Sequence, residues 1–252
     1  MVSRLLYFYP LVLLLAAWEV VAGLGLVRPI FLPRVTTVLA QAVTLVQEGQ
    51  ILGVLLTSLY RAFAGLTLAV AVGVVVGIAM SRVRWVAWLA DPLVALGFPS
   101  PKITFLPIFI LWFGIDHLSK ILLVTFTCVF PMVVSASHGA AAVNQTWIWS
   151  ARAMGTPERR LLWRVVVPAA LPYLFSGLRV TLPVALITAF TAEMVGGGGG
   201  VGAALMFAQR FFETPTVFVY LLLMLLSGFL LDRALLALRA YVLRWHEEEA
   251  HG

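Results

Sequence analysis

Residues 62–80 read AFAGLTLAVAVGVVVGIAM, 19 consecutive positions without a charged side chain. A helix crosses a bilayer core with about 20 mostly apolar residues, so this stretch is long enough to span. Gly65, Ala69, Gly73 and Gly77 recur every fourth position within it and line one helix face with small side chains. Such a face lets a second helix approach closely, the packing expected between helices in lipid. Comparable runs occur at Ile121–Ser137 and Thr214–Leu231, and two more, Val180–Ala192 and Met194–Gln209, flank a lone Glu193. The 252-residue chain is 62% hydrophobic and 11% charged, where an average globular domain has about 25% charged residues. The fold class is therefore an all-α membrane protein.

Working outward from residues 62–80, the pattern predicts six transmembrane helices at roughly 5–27, 59–80, 86–113, 118–138, 166–195 and 215–237. The first segment begins like a signal peptide but exceeds the usual length of its apolar region, and we read it as a retained span. The third is broken at Phe98-Pro99-Ser100-Pro101-Lys102, because each proline removes a donor and restricts its predecessor. Residues 33–56, mixed polar and apolar, read as an interfacial helix.

Arginine and lysine placement sets the expected orientation. Arg4, Arg82, Arg84, Arg152, Arg159, Arg160, Arg164, Arg239 and Arg244 fall in connections on one side, against Arg28, Arg34, Lys120 and Arg210 on the other. The arginine-rich side is expected to be cytoplasmic, with both termini there. The net charge of +6 then reflects cytoplasmic loops rather than nucleic-acid binding. A single thiol, Cys128, cannot form an internal disulfide, and the four histidines share no metal-ligand spacing.

Two glycine patterns mislead. Gly197 and Gly202 have the spacing of a phosphate loop, but Ala203 and Ala204 stand where Lys and Ser/Thr are required. Gly197, Gly199 and Gly202 fit a dinucleotide fingerprint, but no strand precedes them. No catalytic constellation is visible. Charged residues inside spans default to functional candidates. Glu193 is the foremost of them, with a structural hydrogen bond to a neighbouring helix as the alternative. Lys102 sits in the break of the third span. Glu19 and Arg61 read either as partners of each other or as interfacial residues. Asp232 and Arg233 read as anchors at a span end.

The largest loop on the arginine-rich side, about 139–165, reads as two short helices. The first covers Asn144–Met154 with Asn144 as N-cap, and the second runs to Val167. Between them, Gly155 suits a left-handed stop, Thr156 a new N-cap and Pro157 the first helical position. Such a compact projection suits docking into another protein. Alternatively its arginines hold it against anionic membrane lipid.

These residues resemble the permeases of binding-protein-dependent ABC importers, whose loop carries the pattern EAA-x3-G-x9-I-x-L-P. Ala151 and Gly155 match its spacing, and Val165, Val167 and Pro168 stand at its I, L and P positions, followed by Ala169-Ala170-Leu171-Pro172. Phe31-Leu32-Pro33, Leu111-Trp112-Phe113-Gly114, Gly177-Leu178-Arg179 and Ala192-Glu193-Met194 resemble the nitrate/sulfonate/taurine group. The resemblance covers nearly the whole chain and implies a single permease domain of the methionine-importer type. It also implies a homodimer, two cytoplasmic ABC ATPases holding ATP and Mg, a periplasmic solute-binding protein, and the bacterial inner membrane as location. No cofactor is implied in this chain.

The coupling residues it implies are Trp147, Trp149, Ser150, Ala151, Arg152, Met154, Gly155, Thr156, Pro157, Val165, Val167 and Pro168. Trp149 and Ser150 depart from the family's Glu-Ala, so aromatic surface replaces the usual acid. Path candidates are Pro99, Ser100, Pro101, Lys102, Glu193, Gly196, Gly197, Gly198, Gly199 and Gly200. Pyrimidine-type vitamin precursors or aromatic acids remain alternative solutes, and an ATPase-independent channel or carrier is the alternative of another class.

Overall fold

The computed structural model describes residues 9–245; Arg4, His246 and His251, and the first residues of the expected first span, lie outside that range. Every regular element among the described residues is helical. In chain order they are α1 (Tyr9–Gly23), α2 (Val35–Gln47), α3 (Gln50–Arg82), α4 (Arg84–Gly97) and α5 (Leu106–Phe113), the last entered through a 3-10 turn at Lys102–Phe105. Then come α6 (His117–Ala141), α7 (Gln145–Ala153), α8 (Glu158–Leu161), α9 (Val167–Gly196), α10 (Val201–Arg210) and α11 (Thr214–Val242).

Four helical units are long and apolar enough to cross a membrane: α3, α6, Glu158–Gly196 and α11. A fifth arises if α4 and the stretch Lys102–Phe113 count together, although they bend by 94° at the predicted break. The expected sixth, the first segment, is described from Tyr9 onward and is helical to Gly23; the described residues therefore match four or five of the six expected spans. The interfacial helix expected over 33–56 is shorter than predicted. It stops at Gln47, Gly49 takes a left-handed φ of +73°, and residues from Gln50 onward belong to α3.

The core is a three-helix contact of α3, α6 and α9. Gly65, Ala69, Gly73 and Gly77 are all buried on one face of α3. A Cβ added at Gly65 would lie 2.6 Å from Val124 Cβ, and one at Gly77 would lie 2.4 Å from the Val133 carbonyl. α6 is therefore seated against the α3 backbone, with Leu123, Val124, Cys128, Met132 and Ala136 wholly buried. On its other side, Gly177 of α9 approaches Ser135 as closely. α11 differs: only 6% of its most apolar window is buried within the chain, leaving an apolar surface for lipid or a partner. α1 and α2 attach beside it through the Trp18–Phe218 ring contact and the Gln41–Thr216 hydrogen bond.

The second loop helix, expected to run to Val167, passes into α9 without a break. A five-residue π turn, Leu162–Val166, joins α8 to α9, and the Val167 N–H bonds back to the Leu162 carbonyl. The wider turn has a local cause. Pro168 has no N–H for the Arg164 carbonyl, and its ring would crowd that oxygen in a regular helix. The helix then continues through Pro172 and Pro183.

Candidate functional site

At the arginine-rich end, α7 is capped as the sequence predicts, the Asn144 side chain accepting from the Thr146 N–H at 2.9 Å. Ile148 and Ala151, three positions apart, face inward onto Ile78, Ala140, Val143, Leu161 and Val166. Ala151 is therefore part of the loop's own core. Gly155, with φ +76°, ends the helix. Its N–H bonds to the Arg152 carbonyl and the Thr156 N–H to the Ala151 carbonyl, the paired bonds of a left-handed glycine stop. The Thr156 N–H is thus used at the end of α7, and its side chain does not cap α8. Pro157, extended at ψ 151°, takes the cap position and α8 starts at Glu158. The two limbs are clamped by Arg152 Nε donating to Glu158 Oε1 at 2.8 Å, both side chains more than half exposed.

Trp147, Trp149, Ser150 and Met154 project outward. Trp147, Ser150 and Met154 line a shallow groove of about 410 Å³ together with Arg164, Val165 and Pro168. Val167 is half-buried against the loop core. The result is a projection whose inner face is fixed to the ends of α3, α6 and α9 and whose outer face is aromatic.

At the opposite end lies a buried polar network. Glu193, on α9, has no exposed surface, and Arg61, on α3, is 1% exposed. They form an ion pair, Arg61 Nη1 to Glu193 Oε1, at 2.8 Å. The other carboxylate oxygen accepts from Ser58 Oγ at 2.7 Å and from the Gly202 N–H at 3.1 Å. Ser58 Oγ in turn accepts from the Val201 N–H. Glu193 and Ser58 thus serve the first N–H groups of α10, whose own cap residue, Gly200, has no side chain to do so. Sequence reasoning offered Glu19 as a partner for Arg61. Glu19 instead accepts from the Thr36 hydroxyl and N–H at the start of α2.

The remaining donors of Arg61 fix the glycine turn. Nη1 reaches the Gly199 carbonyl at 2.8 Å, Nη2 the Gly198 carbonyl, and Nε His117 Nδ1 at 3.2 Å. Gly197, Gly198, Gly199 and Gly200 all have positive φ. At Gly200 a Cβ would also sit 2.3 Å from the Glu193 carboxyl, and at Gly198 one would sit 2.4 Å from the Ile115 carbonyl. Lys120 reads in the sequence as a loop charge. It is wholly buried, donating to the carbonyls of Ile115 and Asp116. Nothing in the sequence marks Ser58, His117 or Lys120 as members of one site. The available signal was Ser58 and Arg61 three apart on a helix, immediately before the uncharged run.

The broken third span forms a separate local structure. Ser100 Oγ donates to the Gly97 carbonyl, and Lys102 Nζ donates to the Phe98 carbonyl beneath the Phe98 and Phe130 rings. Pro99 and Pro101 are exposed. Lys102 and Glu193 are therefore engaged with different partners. Gly196 packs on Ile110 and Leu106 of α5.

The chain is 35% identical to the taurine transport system permease protein TauC of Escherichia coli (strain K12), over 94% of this chain and 88% of that protein. It is 32% identical to a Bacillus subtilis (strain 168) protein named "Putative aliphatic sulfonates transport permease protein SsuC", over 92% and 84%. Its fold resembles that of a chain of the inward-facing MetNI methionine ABC transporter, with a TM-score of 0.62 and 19% identity over 76% of this chain and 94% of that one. Residues 69–242 match the family described as "Binding-protein-dependent transport system inner membrane component". The chain belongs to that family of ABC importer permeases, and is a multi-pass, non-catalytic transport subunit.

Proposed function

We propose that this chain is the permease of an ATP-driven importer for a small sulfonate-class anion such as taurine. It would work as a homodimer, with two ATPases docked at the arginine-rich, cytoplasmic end and a solute-binding protein at the other. ATP and Mg would be held by the ATPase. The observation that carries this reading is the projection Asn144–Pro168, whose inner face is bonded into three spans while its outer face is left exposed. A force applied to Trp147, Trp149 or Met154 has a rigid route through Ile148 and Ala151 into the ends of α3 and α6, and through the π turn into α9.

With Trp149 and Ser150 at the family's acidic and alanine positions, docking rests on aromatic anchors, a residue type enriched at interface hot spots. Arg152 acts on the loop's shape through Glu158 rather than only on a partner. The path would run beside the broken third span and the glycine turn, so Pro99, Ser100, Pro101, Lys102 and Gly196–Gly200 remain its candidates, with Glu193 acting from behind the turn. The substrate reading rests on the identity to the taurine and sulfonate permeases.

The test is to purify the chain from native membranes in mild detergent and identify what accompanies it. A stoichiometric ATPase is expected, and its binding protein should bind taurine or an alkanesulfonate in preference to a pyrimidine or an aromatic acid. A chain that comes down alone, under conditions that preserve other ABC complexes, would overturn the reading.

A further inference from the structure

The glycine turn at residues 197–200 presents a contrast between its two faces. Gly198 and Gly199 are exposed, yet their carbonyl oxygens both turn inward to one guanidinium that solvent does not reach. A run of glycines has no side chains with which to hold its own shape, and glycine loses more conformational freedom on ordering than any other residue. Its geometry must therefore come from outside the turn. Arg61 supplies it, its planar fork meeting two adjacent carbonyls at once while Glu193 and His117 fix the orientation of the plane. Such a device is costly, since taking two charges out of water carries a desolvation penalty that their attraction must first offset. For helix packing alone, apolar residues would serve as well.

We propose that Arg61 is the positioning residue of this turn. From behind, it sets the main-chain surface that Gly198 and Gly199 present at the end opposite the coupling projection. Under the permease reading, on which this inference rests, that surface meets the loaded solute-binding protein. Lysine cannot replace it. An ammonium is a compact point charge without the fork that spans both carbonyls.

The experiment compares wild type, R61K and G199A, in the complete transporter reconstituted in proteoliposomes and by amide hydrogen exchange of the same material. A Cβ at Gly199 meets no atom, so G199A perturbs the turn only through its φ of +80°. R61K is expected to speed exchange at residues 198–200 while protection in α3 and α6 stays at the wild-type level. It should also raise the KM for the loaded binding protein roughly tenfold, with the maximal rate within about twofold, the pattern of lost binding rather than lost chemistry. G199A should do the same, and the double variant should be no worse than the more affected single variant, because both act on one element.

A general loss of protection in R61K with an unchanged turn, or additive effects of the two substitutions, would overturn the proposal and leave Arg61 as a packing element. If R61K does not fold, R61Q/E193Q removes both charges and the fork together. It must then loosen the turn selectively, and uniform protection would overturn the proposal equally. If wild type shows no ATP-dependent uptake, the permease reading fails, and the exchange data still decide the role of Arg61.

Discussion

The two polar ends of this protein treat charge in opposite ways. At the coupling projection, Arg152 and Glu158 pair in the open, 51% and 70% exposed, across a turn closed by backbone bonds. At the glycine turn, Arg61 and Glu193 pair with almost no exposure and hold the backbone themselves. The first pair decorates a turn that capping chemistry already specifies. The second is the specification. Charge therefore matters most where it is least visible, and the density of arginines in the sequence points to the less consequential pair.

Substitutions can sharpen or break this contrast. The largest effect is expected from R61M or E193L alone. Each leaves a buried charge without its partner, at a cost of about 3–5 kcal/mol, measurable as reduced stability to denaturant in detergent. R61M/E193L should be less destabilised than either single change. If it is worse than both, the pair is not the unit we describe. Next is G200A, which combines a backbone region nearly reserved for glycine, worth about 1–3 kcal/mol, with a Cβ 2.3 Å from the Glu193 carboxyl. It should cost more than G197A, where only the backbone term applies because a Cβ meets nothing. Equal effects would mean the carboxylate is not packed as closely as it stands here.

At the other end, N144A should cost about 1 kcal/mol by removing the cap of α7. R152A should cost at most about 1 kcal/mol, as expected for an exposed ion pair, and its stability effect should fade in high salt. A loss from R152A comparable to that from R61M would erase the distinction between the two ends.

The sequence is readable where the cause is local. An uncharged run of 19 residues predicts α3, and its four-residue spacing predicts the face that meets α6. Asn144 and Gly155 mark the ends of α7 because their partners lie within a few residues. Thr156 reads as a cap one position too early: its N–H closes the end of α7, and Pro157 stands at the start of α8. What depends on distant partners is not readable in this way. Arg61 and Glu193 are 132 positions apart, and nothing near Arg61 excludes Glu19 as its counterion. Glu19 is taken by the start of α2, a helix whose N-cap residue makes no side-chain cap bond of its own. Lys120 looks like a loop charge until the fold folds it back onto the carbonyls of Ile115 and Asp116.

Taurine uptake by the purified transporter in proteoliposomes separates an ATP-coupled permease from a passive path. ATP would be supplied on the coupling-projection side and loaded binding protein on the other. Uptake should require both and should be abolished by G155W, which places a bulky side chain at a left-handed, exposed turn of the projection. Taurine flux that proceeds without ATP and is unchanged in G155W would contradict the permease reading and identify a channel or carrier instead.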